Sequence, residues 1–341
     1  MLRKIFTLTF LVIAVTKLSA QKDSPKTAST VFSGFIDAYY RYNLSDPSGQ
    51  TNNFTSFTNS QNSFELGMVS VRGDHSFGKV SATADLGLGK RAQDFSYNDA
   101  GTVATIKQLL ISYAPTDKIK FTIGKWATHV GYELVDAPGN RNYSMSYGFS
   151  YGPFFHTGIK ADISLGGKSA LMVGLADPTD FTGTTSSTKY VLAQFSTGSK
   201  NDRLKAYLNF QAGGEVSQYN LVATAALSKK WSMAYDGSIQ QTKAAGTKSS
   251  WKSQAMYLNF DPTEKFGLTL REDYFDDRKI NPISINGKIF ATTLSANIKI
   301  DKLTIIPEYR IDQSNQKVFS KTNGISIKGT NTFILAAVYK F

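Results

Sequence analysis

Histidine is the side chain whose ordinary pKa lies closest to neutrality, and this 341-residue chain holds three: His75, His129 and His156. A histidine beside Ser144 or Ser150 would form the base and nucleophile of a serine hydrolase. No Gly-x-Ser-x-Gly context surrounds either serine, and serine is abundant throughout. A histidine hydrogen-bonded at the base of a loop is therefore the simpler expectation for His156. His129 and Glu133 stand four apart, but a metal site would need a helix and further ligands. Cysteine is absent, which removes thiolate sites and disulfides alike. No phosphate-cradling glycine loop is present, and Asp46-Pro47-Ser48-Gly49 reads as a turn. Neither a catalytic set, a metal nor a cofactor is expected. The remaining chemistry is electrostatic: Glu133, Asp136 and Arg141, with Tyr143, lie within the aromatic, glycine-containing stretch 127–153.

The elements that must position these residues follow a period of two. Candidate strands run near 30–43, 63–76, 78–90, 103–115, 118–126, 154–165, 168–177, 187–197, 202–212, 216–228, 231–242, 250–261, 264–275, 287–299, 302–312 and 329–341, sixteen in all. No stretch of helical apolar period separates them. The links alternate in length. Short ones around Phe77-Gly78, Pro115-Thr116-Asp117, Gly166-Gly167, Lys229-Lys230, Pro262-Thr263 and Asp301 carry turn residues. Long polar ones fill 44–62, 91–102, 127–153, 178–186, 276–286 and 313–328. The link at Gly213-Gly214 breaks the alternation and leaves fourteen or eighteen strands open.

Alternation also assigns faces. Phe333, Leu335, Ala337, Tyr339 and Phe341 share one face of the last strand, and the chain ends on that aromatic. In 302–312, Leu303, Ile305, Pro307, Tyr309 and Ile311 oppose Thr304, Ile306, Glu308, Arg310 and Asp312. One apolar and one polar face on every strand, short turns at one end and long loops at the other, predict an all-β fold. The specific form is a transmembrane antiparallel up-and-down barrel of about 16 strands. A charge facing lipid at mid-membrane costs about 2–4 kcal/mol, so Asp37, Arg41, Asp85, Lys299, Glu308 and Arg310 are expected to line a hydrated lumen. A β-sandwich would need a core of larger residues than the Ala, Gly and Thr on many apolar faces.

The N-terminus reads as an export signal. Arg3 and Lys4 precede an apolar stretch, and Leu18-Ser19-Ala20 stands before Gln21. That stretch is too short to span a bilayer as a helix. The expected organisation is a signal peptide over 1–20 cleaved after Ala20, a short periplasmic segment over 21–29 and a barrel over 30–341. With an even strand count both termini fall on the periplasmic, short-turn side. A mean hydropathy of −0.23 is compatible with strands that alternate lipid-facing and lumen-facing residues. Removing the signal takes away Arg3, Lys4 and Lys17 and lowers the formal charge from +12 to +9. No basic helix or dense Lys/Arg run accompanies that charge, which argues against nucleic acid. It suits a wet lumen with a mild preference for anions. The pairs Glu272-Asp273 and Asp276-Asp277, at a strand end and a loop start, read as a solvated face or as a site for the divalent cations that bridge lipopolysaccharide phosphates.

An exposed 27-residue loop as aromatic as 127–153 would be unusual. It is expected to fold into the lumen after strand 5 and narrow it, with Glu133, Asp136, Arg141 and Tyr143 at the constriction. Within and around it, Lys125-Trp126, Gly131-x-Glu133, Asn140-x-Asn142-Tyr143-Ser144 and Pro153-x-x-His156-Thr157-Gly158 resemble the central segment of the β-barrel porin family called porin-2, OmpL-like, of Bacteroidetes-type bacteria. The opening Phe32-Ser33-Gly34-Phe35-Ile36-Asp37-Ala38-Tyr39-Tyr40 is similar too. The resemblance implies an outer-membrane barrel with pore activity, and Phe341 as the end of the signal read by the barrel-insertion machinery. It brings no substrate and no functional residues. The reading is a passive diffusion channel for small hydrophilic solutes or ions, not an enzyme, with outer-membrane lipid and lipopolysaccharide around it, as a monomer or homotrimer. The alternative is a non-conducting barrel whose exterior loops bind a partner or surface ligand.

Overall fold

The computed structural model describes residues 27–45, 51–244, 246–277 and 285–341. The signal over 1–20, the turn at 46–49 and most of the loop over 276–286 lie outside those residues. Sixteen antiparallel strands close into one barrel: β1 (Ser29–Asn43), β2 (Ser63–Phe77), β3 (Val80–Leu88), β4 (Ile106–Thr116), β5 (Ile119–Ala127), β6 (Phe155–Gly166), β7 (Ser169–Ala176), β8 (Tyr190–Gly198), β9 (Leu204–Gly213), β10 (Val216–Ala226), β11 (Trp231–Ala244), β12 (Thr247–Thr263), β13 (Phe266–Asp276), β14 (Lys288–Ile300), β15 (Leu303–Ser314) and β16 (Gly329–Lys340). Each strand pairs with its neighbour in sequence, and β16 returns to β1. No helix among the described residues is long and apolar enough to cross a membrane.

The faces follow the alternation in the sequence. Leu335, Tyr339, Leu294, Tyr309, Ile123 and Leu208 are exposed on the outside, while Glu308, Arg310, Asp37 and Thr332 are buried on the inside. Apolar side chains outward and polar side chains inward is the reverse of a soluble sandwich, and it is what a lipid surround requires. The open count resolves at sixteen because Gly214-Glu215 is a tight turn on the long-loop side, with Gly214 at φ 55°. The link between β11 and β12 is equally short. That rim is therefore low at β9–β12 and tall elsewhere. The loop after β3 contains a short helix, α1 (Lys90–Phe95), and residues 319–320 pair with 326–327 in a small hairpin beside β16.

The seam is sealed at the last residue. Phe341 exchanges backbone hydrogen bonds with Gly34 at 3.0 and 2.9 Å, extending the β1–β16 ladder by one pair. Gly34 has no room for a side chain: a Cβ there would lie 2.4 Å from the Ser70 carbonyl and 2.6 Å from the Phe341 ring. The terminal aromatic thus packs over a glycine on the adjacent strand, the close approach only glycine permits. Gly34→Val should cost about 1–3 kcal/mol through overpacking, read as a lower urea midpoint for the barrel folded in lipid. Ala38→Val, on the same outward face, should leave the midpoint near the original. Equal midpoints for the two variants would show that the Gly34–Phe341 packing does not hold the seam.

Candidate functional site

The longest connection, residues 128–154, leaves β5 and is bonded in turn to the backbone of β9 and to inward side chains of β10 to β15 and of β1. His129 donates from Nε2 to the Phe210 carbonyl on β9 at 3.2 Å; burial lowers its pKa to about 4, so the ring is neutral at pH 7. The Gly131 amide donates to Asn220 on β10 at 3.2 Å and the Tyr132 amide to Asp236 on β11 at 2.9 Å. Arg141 forks onto Asp261 of β12 at 2.6 and 3.1 Å. The Tyr147 amide donates to Asp273 of β13 at 2.7 Å. Asn142 reaches Ser295 of β14 at 2.7 Å. On β15, Glu308 accepts the Tyr143 amide at 2.7 Å and the Ser144 amide at 3.1 Å. The Tyr143 hydroxyl donates to Asp37 on β1.

Cations of the wall take the segment's carbonyls. Arg271 donates to Ser144 O at 2.6 Å and pairs with Glu133 at 2.8 Å. Arg310 donates to Met145 O at 2.8 Å while holding Asp312, which accepts the Tyr147 hydroxyl at 2.9 Å. Lys107 of β4 sits between Asp85 at 3.1 Å and Asp136 at 2.6 Å. Arg91, on α1, lies 3.7 Å from Asp37 and over the Tyr143 ring. Within the segment, α2 (Tyr147–Tyr151) is capped by Ser146, whose side chain accepts from the Phe149 amide, the usual satisfaction of a free helix-end donor. Its Phe149 joins an apolar cluster of Phe57, Phe95, Val135, Met145, Phe154 and Phe155, drawn from three loops and the start of β6, while Tyr147 and Tyr151 pack against Trp251 and Phe275 in another.

The candidate site residues fall into two groups. Glu133, Tyr143, Asp37, Arg41, Asp85, Glu308 and Arg310 are each at most 4 % exposed. They lie on the expected inner face or on the 128–154 segment, but they meet other parts of the chain where a hydrated lumen was expected. Arg41 donates to the Thr51 and Ser60 carbonyls and ties down the loop after β1. Lys299 is exposed, and Arg141 and Asp136 are partly so. Both Arg141 and Lys299 line a cavity of about 320 Å³ on the short-turn side, with Asp301, Lys302 and Lys340. A larger cavity, about 700 Å³, lies on the long-loop side among Asn53, Asp94, Tyr97, Asp180, Gln211 and Trp251.

The carboxylate pairs depart from the sequence expectation. Asp273 is buried on the inner face and Glu272 faces outward, accepting from Thr292 at 2.8 Å. Asp277 is buried too, closing its loop through the Ile285 and Gly287 amides. Adjacent carboxylates in a strand point to opposite faces, which separates Glu272 from Asp273, and Asp276 and Asp277 are both buried at the strand end, so neither pair forms a joint solvated cluster. The Ser/His pairing is not assembled either: Ser150 donates to Ser146 O at 2.8 Å, Ser144 lies against Arg271, and His156 bonds Thr128 at 3.2 Å. His129 and Glu133 are engaged with Phe210 and Arg271. Among the described residues no group of three or more His, Asp or Glu could hold a metal ion. Sequence reasoning missed Arg91, Lys107, Asp180, Asp236 and Arg271. Period-two alternation alone would have put Arg271 inside, between Thr269 and Asp273, whereas nothing local marks Arg91.

Asp180 fixes the loop after β7. At φ 64° it occupies the left-handed region that Asp tolerates better than most residues. Its carboxylate accepts the Phe154 and Phe155 amides at 2.7 and 3.0 Å and the Tyr97 hydroxyl at 3.1 Å. Burial raises its pKa to about 7, against those hydrogen bonds, which pull it down.

The family model described as "Putative beta-barrel porin-2, OmpL-like" matches residues 29–341. Among solved structures, the anion-selective porin of Comamonas acidovorans superposes with a TM-score of 0.60 at 12 % identity, over 92 % of this chain and 100 % of that one. A loop L8 deletion mutant of the outer-membrane protein OmpT of Vibrio cholerae gives 0.62 at 11 %, over 92 % and 99 %. The outer-membrane protein opdK of Pseudomonas aeruginosa gives 0.52 at 8 %, over 92 % and 99 %. At such identities these likenesses concern the fold alone. No curated protein matches the chain in sequence.

Two outcomes follow from this geometry. Arg271→Met strands Glu133 and the Ser144 carbonyl, and should cost about 3–5 kcal/mol by urea unfolding in lipid, whereas Glu133→Leu with Arg271→Met should recover part of the loss. A double variant as unstable as the single one would show that the ion pair is not the term that matters. For Asp180 the folded pKa exceeds the unfolded value of about 3.9. Its contribution is therefore full below about pH 4 and lost as pH rises through about 7. Hydrogen exchange at the Phe154 and Phe155 amides, relative to Asp180→Asn at each pH, should quicken between pH 5 and pH 8. An unchanged ratio would mean that Asp180 does not titrate there.

Proposed function

The chain belongs to the porin-2, OmpL-like, family of β-barrel porins, and on that premise we propose that this outer-membrane barrel is a passive diffusion channel for small hydrophilic solutes. Residues 128–154 lie across the bore as its constriction, and the short turns and both termini face the periplasm. The observation that carries this is the chain of bonds from β9 round to β1, which fixes one segment against most of the inner wall with a cavity at either end. A loop free to move would not define an aperture; one fastened at Asp236, Arg271, Asp273 and Glu308 does.

The sign of the short-turn cavity supports anion preference. Arg141, Lys299, Lys302 and Lys340 face it against Asp301. Cationic rings favour anions at close quarters, and the Comamonas acidovorans porin of the same fold is anion-selective. A second reading has its own support: the inner charges are so completely enclosed, Arg271 and Asp273 at 0 % exposure, that the barrel suits a plugged scaffold displaying its loops.

Purified protein in a planar bilayer should give discrete conductance steps, with a reversal potential in a salt gradient of anion-selective sign. Lys299→Gln with Lys302→Gln should move that potential toward cations without abolishing steps. Deleting residues 134–144 should enlarge the steps. A correctly folded barrel that stays silent, before and after the deletion, would replace the channel by the plugged scaffold.

A further inference from the structure

The outer wall carries a trough on the outward faces of β8 to β11, next to the short turns. Its volume is about 490 Å³, and its floor is made of small side chains, Thr197, Ala206, Ala223 and Ala225. Thr197, Ala206 and Ala223 are register neighbours in one row across three strands. Leu204, Met233 and Tyr235 stand at its edges. Leu208, above the floor, is 56 % exposed, and Leu204 is 58 % exposed. Small residues face outward elsewhere too, Ala82 and Ala84 among them, but here four adjoin and leave a depression in the lipid-facing surface.

The trough opens toward two turns that lie side by side, 199–203 and 227–230, joined by the bond from the Ala226 amide to the Arg203 carbonyl at 2.8 Å. Ser199, in the first, lines its mouth. These turns carry Lys200, Arg203, Lys229 and Lys230, all exposed and without an ion pair among the described residues. The one acid between them, Asp202, is taken by Lys168 at 2.8 Å. The contrast with the other short turns is in the sequence. Asp117 stands beside Lys118, Glu264 beside Lys265 and Asp301 beside Lys302, and the turns at Gly78-Lys79 and Gly167-Lys168 carry one lysine each, whereas the two turns of the trough quarter together hold four cations and one acid.

We propose that this trough seats one acyl chain of an anionic glycerophospholipid from the leaflet at the short-turn side. Its phosphate sits among Lys200, Arg203, Lys229 and Lys230. An alkyl chain fills an apolar depression that lipid packing alone would leave loose, and the basic residues supply the headgroup attraction that juxtamembrane Lys and Arg give to acidic lipid. Binding rests on the barrel spanning the membrane and is independent of whether it conducts.

Native mass spectrometry of the full-length protein, delipidated in detergent and titrated with phosphatidylglycerol or phosphatidylethanolamine of identical chains, tests this. The protein should hold one phosphatidylglycerol in preference to phosphatidylethanolamine. Lys229→Gln with Lys230→Gln should cut that preference by about fivefold per charge removed while leaving chain binding. Ala223→Leu, which fills the trough, should abolish retention of both lipids, and Ala193→Leu, outward but off the floor, should not. Heat-modifiable migration confirms folding of each variant, and if Ala223→Leu fails to fold, the lysine pair decides. Equal retention of the two lipids by the unaltered protein, or retention unchanged in Ala223→Leu, overturns the proposal. A multimer that falls apart in Ala223→Leu overturns it in favour of a contact between copies.

Discussion

An inward charge on a barrel wall cannot turn outward, because lipid would charge several kcal/mol for it. It must find compensation in water or in another part of the chain. In this protein the chain supplies most of it. Asp236, Glu308 and Asp273 spend their lone pairs on backbone amides of one long connection, and Arg271 and Arg310 spend their donors on its carbonyls. The bargain is mutual. A segment without regular structure has backbone groups that need partners when buried, and a wall of paired charges offers acceptors and donors at fixed heights. The position of 128–154 is thus set by the period-two placement of charges on strands far from it in sequence.

This explains how much was legible beforehand. A strand's two faces are written locally, so all sixteen strands, the outward Phe333–Leu335–Tyr339 stripe and the inward Asp37, Glu308 and Arg310 could be read from alternation. Partners are a property of closure. Which acid faces Arg271 depends on a segment 138 residues away, and nothing near either residue encodes it. The carboxylate pairs misled for a related reason. Glu272-Asp273 looks like one acidic cluster in a string of letters, yet in a pleated strand its two members point to opposite media. The link at Gly213-Gly214 was ambiguous because a tight turn on the long-loop side departs from the length alternation, although its glycine at positive φ makes it an ordinary turn.

Those short links shape the site. With β9–β10 joined by a tight turn and only two residues between β11 and β12, the long-loop rim is low over the same quarter where Gln211, Gln240, Thr242 and Trp251 line the larger cavity. The loops after β1 and β3 rise on the opposite side and meet the 128–154 segment through Phe57 and Phe95, while the loop after β7 closes the near edge of that cavity through Asp180 and Thr179. The interior is therefore asymmetric: the larger cavity lies toward β8–β12, whereas the space beneath the loops after β1 and β3 is filled by the Phe57–Phe95 cluster and by the Arg91–Asp37 and Lys107–Asp85 pairs.

The two cavities also differ in charge, and this bears on how a solute would be sorted. Asp94 and Asp180 face the larger one, while Lys299 and Lys340 leave the smaller one cationic, its Arg141 being paired with Asp261 and its Lys302 standing next to Asp301. Asp94 is paired with Lys90 at 2.6 Å, and Asp180, with its pKa near 7, is only partly ionised at neutral pH. The long-loop side is thus weakly charged, and the cationic side dominates the field along the axis. Charges near a constriction outweigh charges in the outer loops, because a narrow, low-dielectric passage focuses their field. Lys299 and Lys340 thus give the short-turn mouth its net positive sign, whatever the remainder of the net positive charge contributes to the turns and the lipid around them.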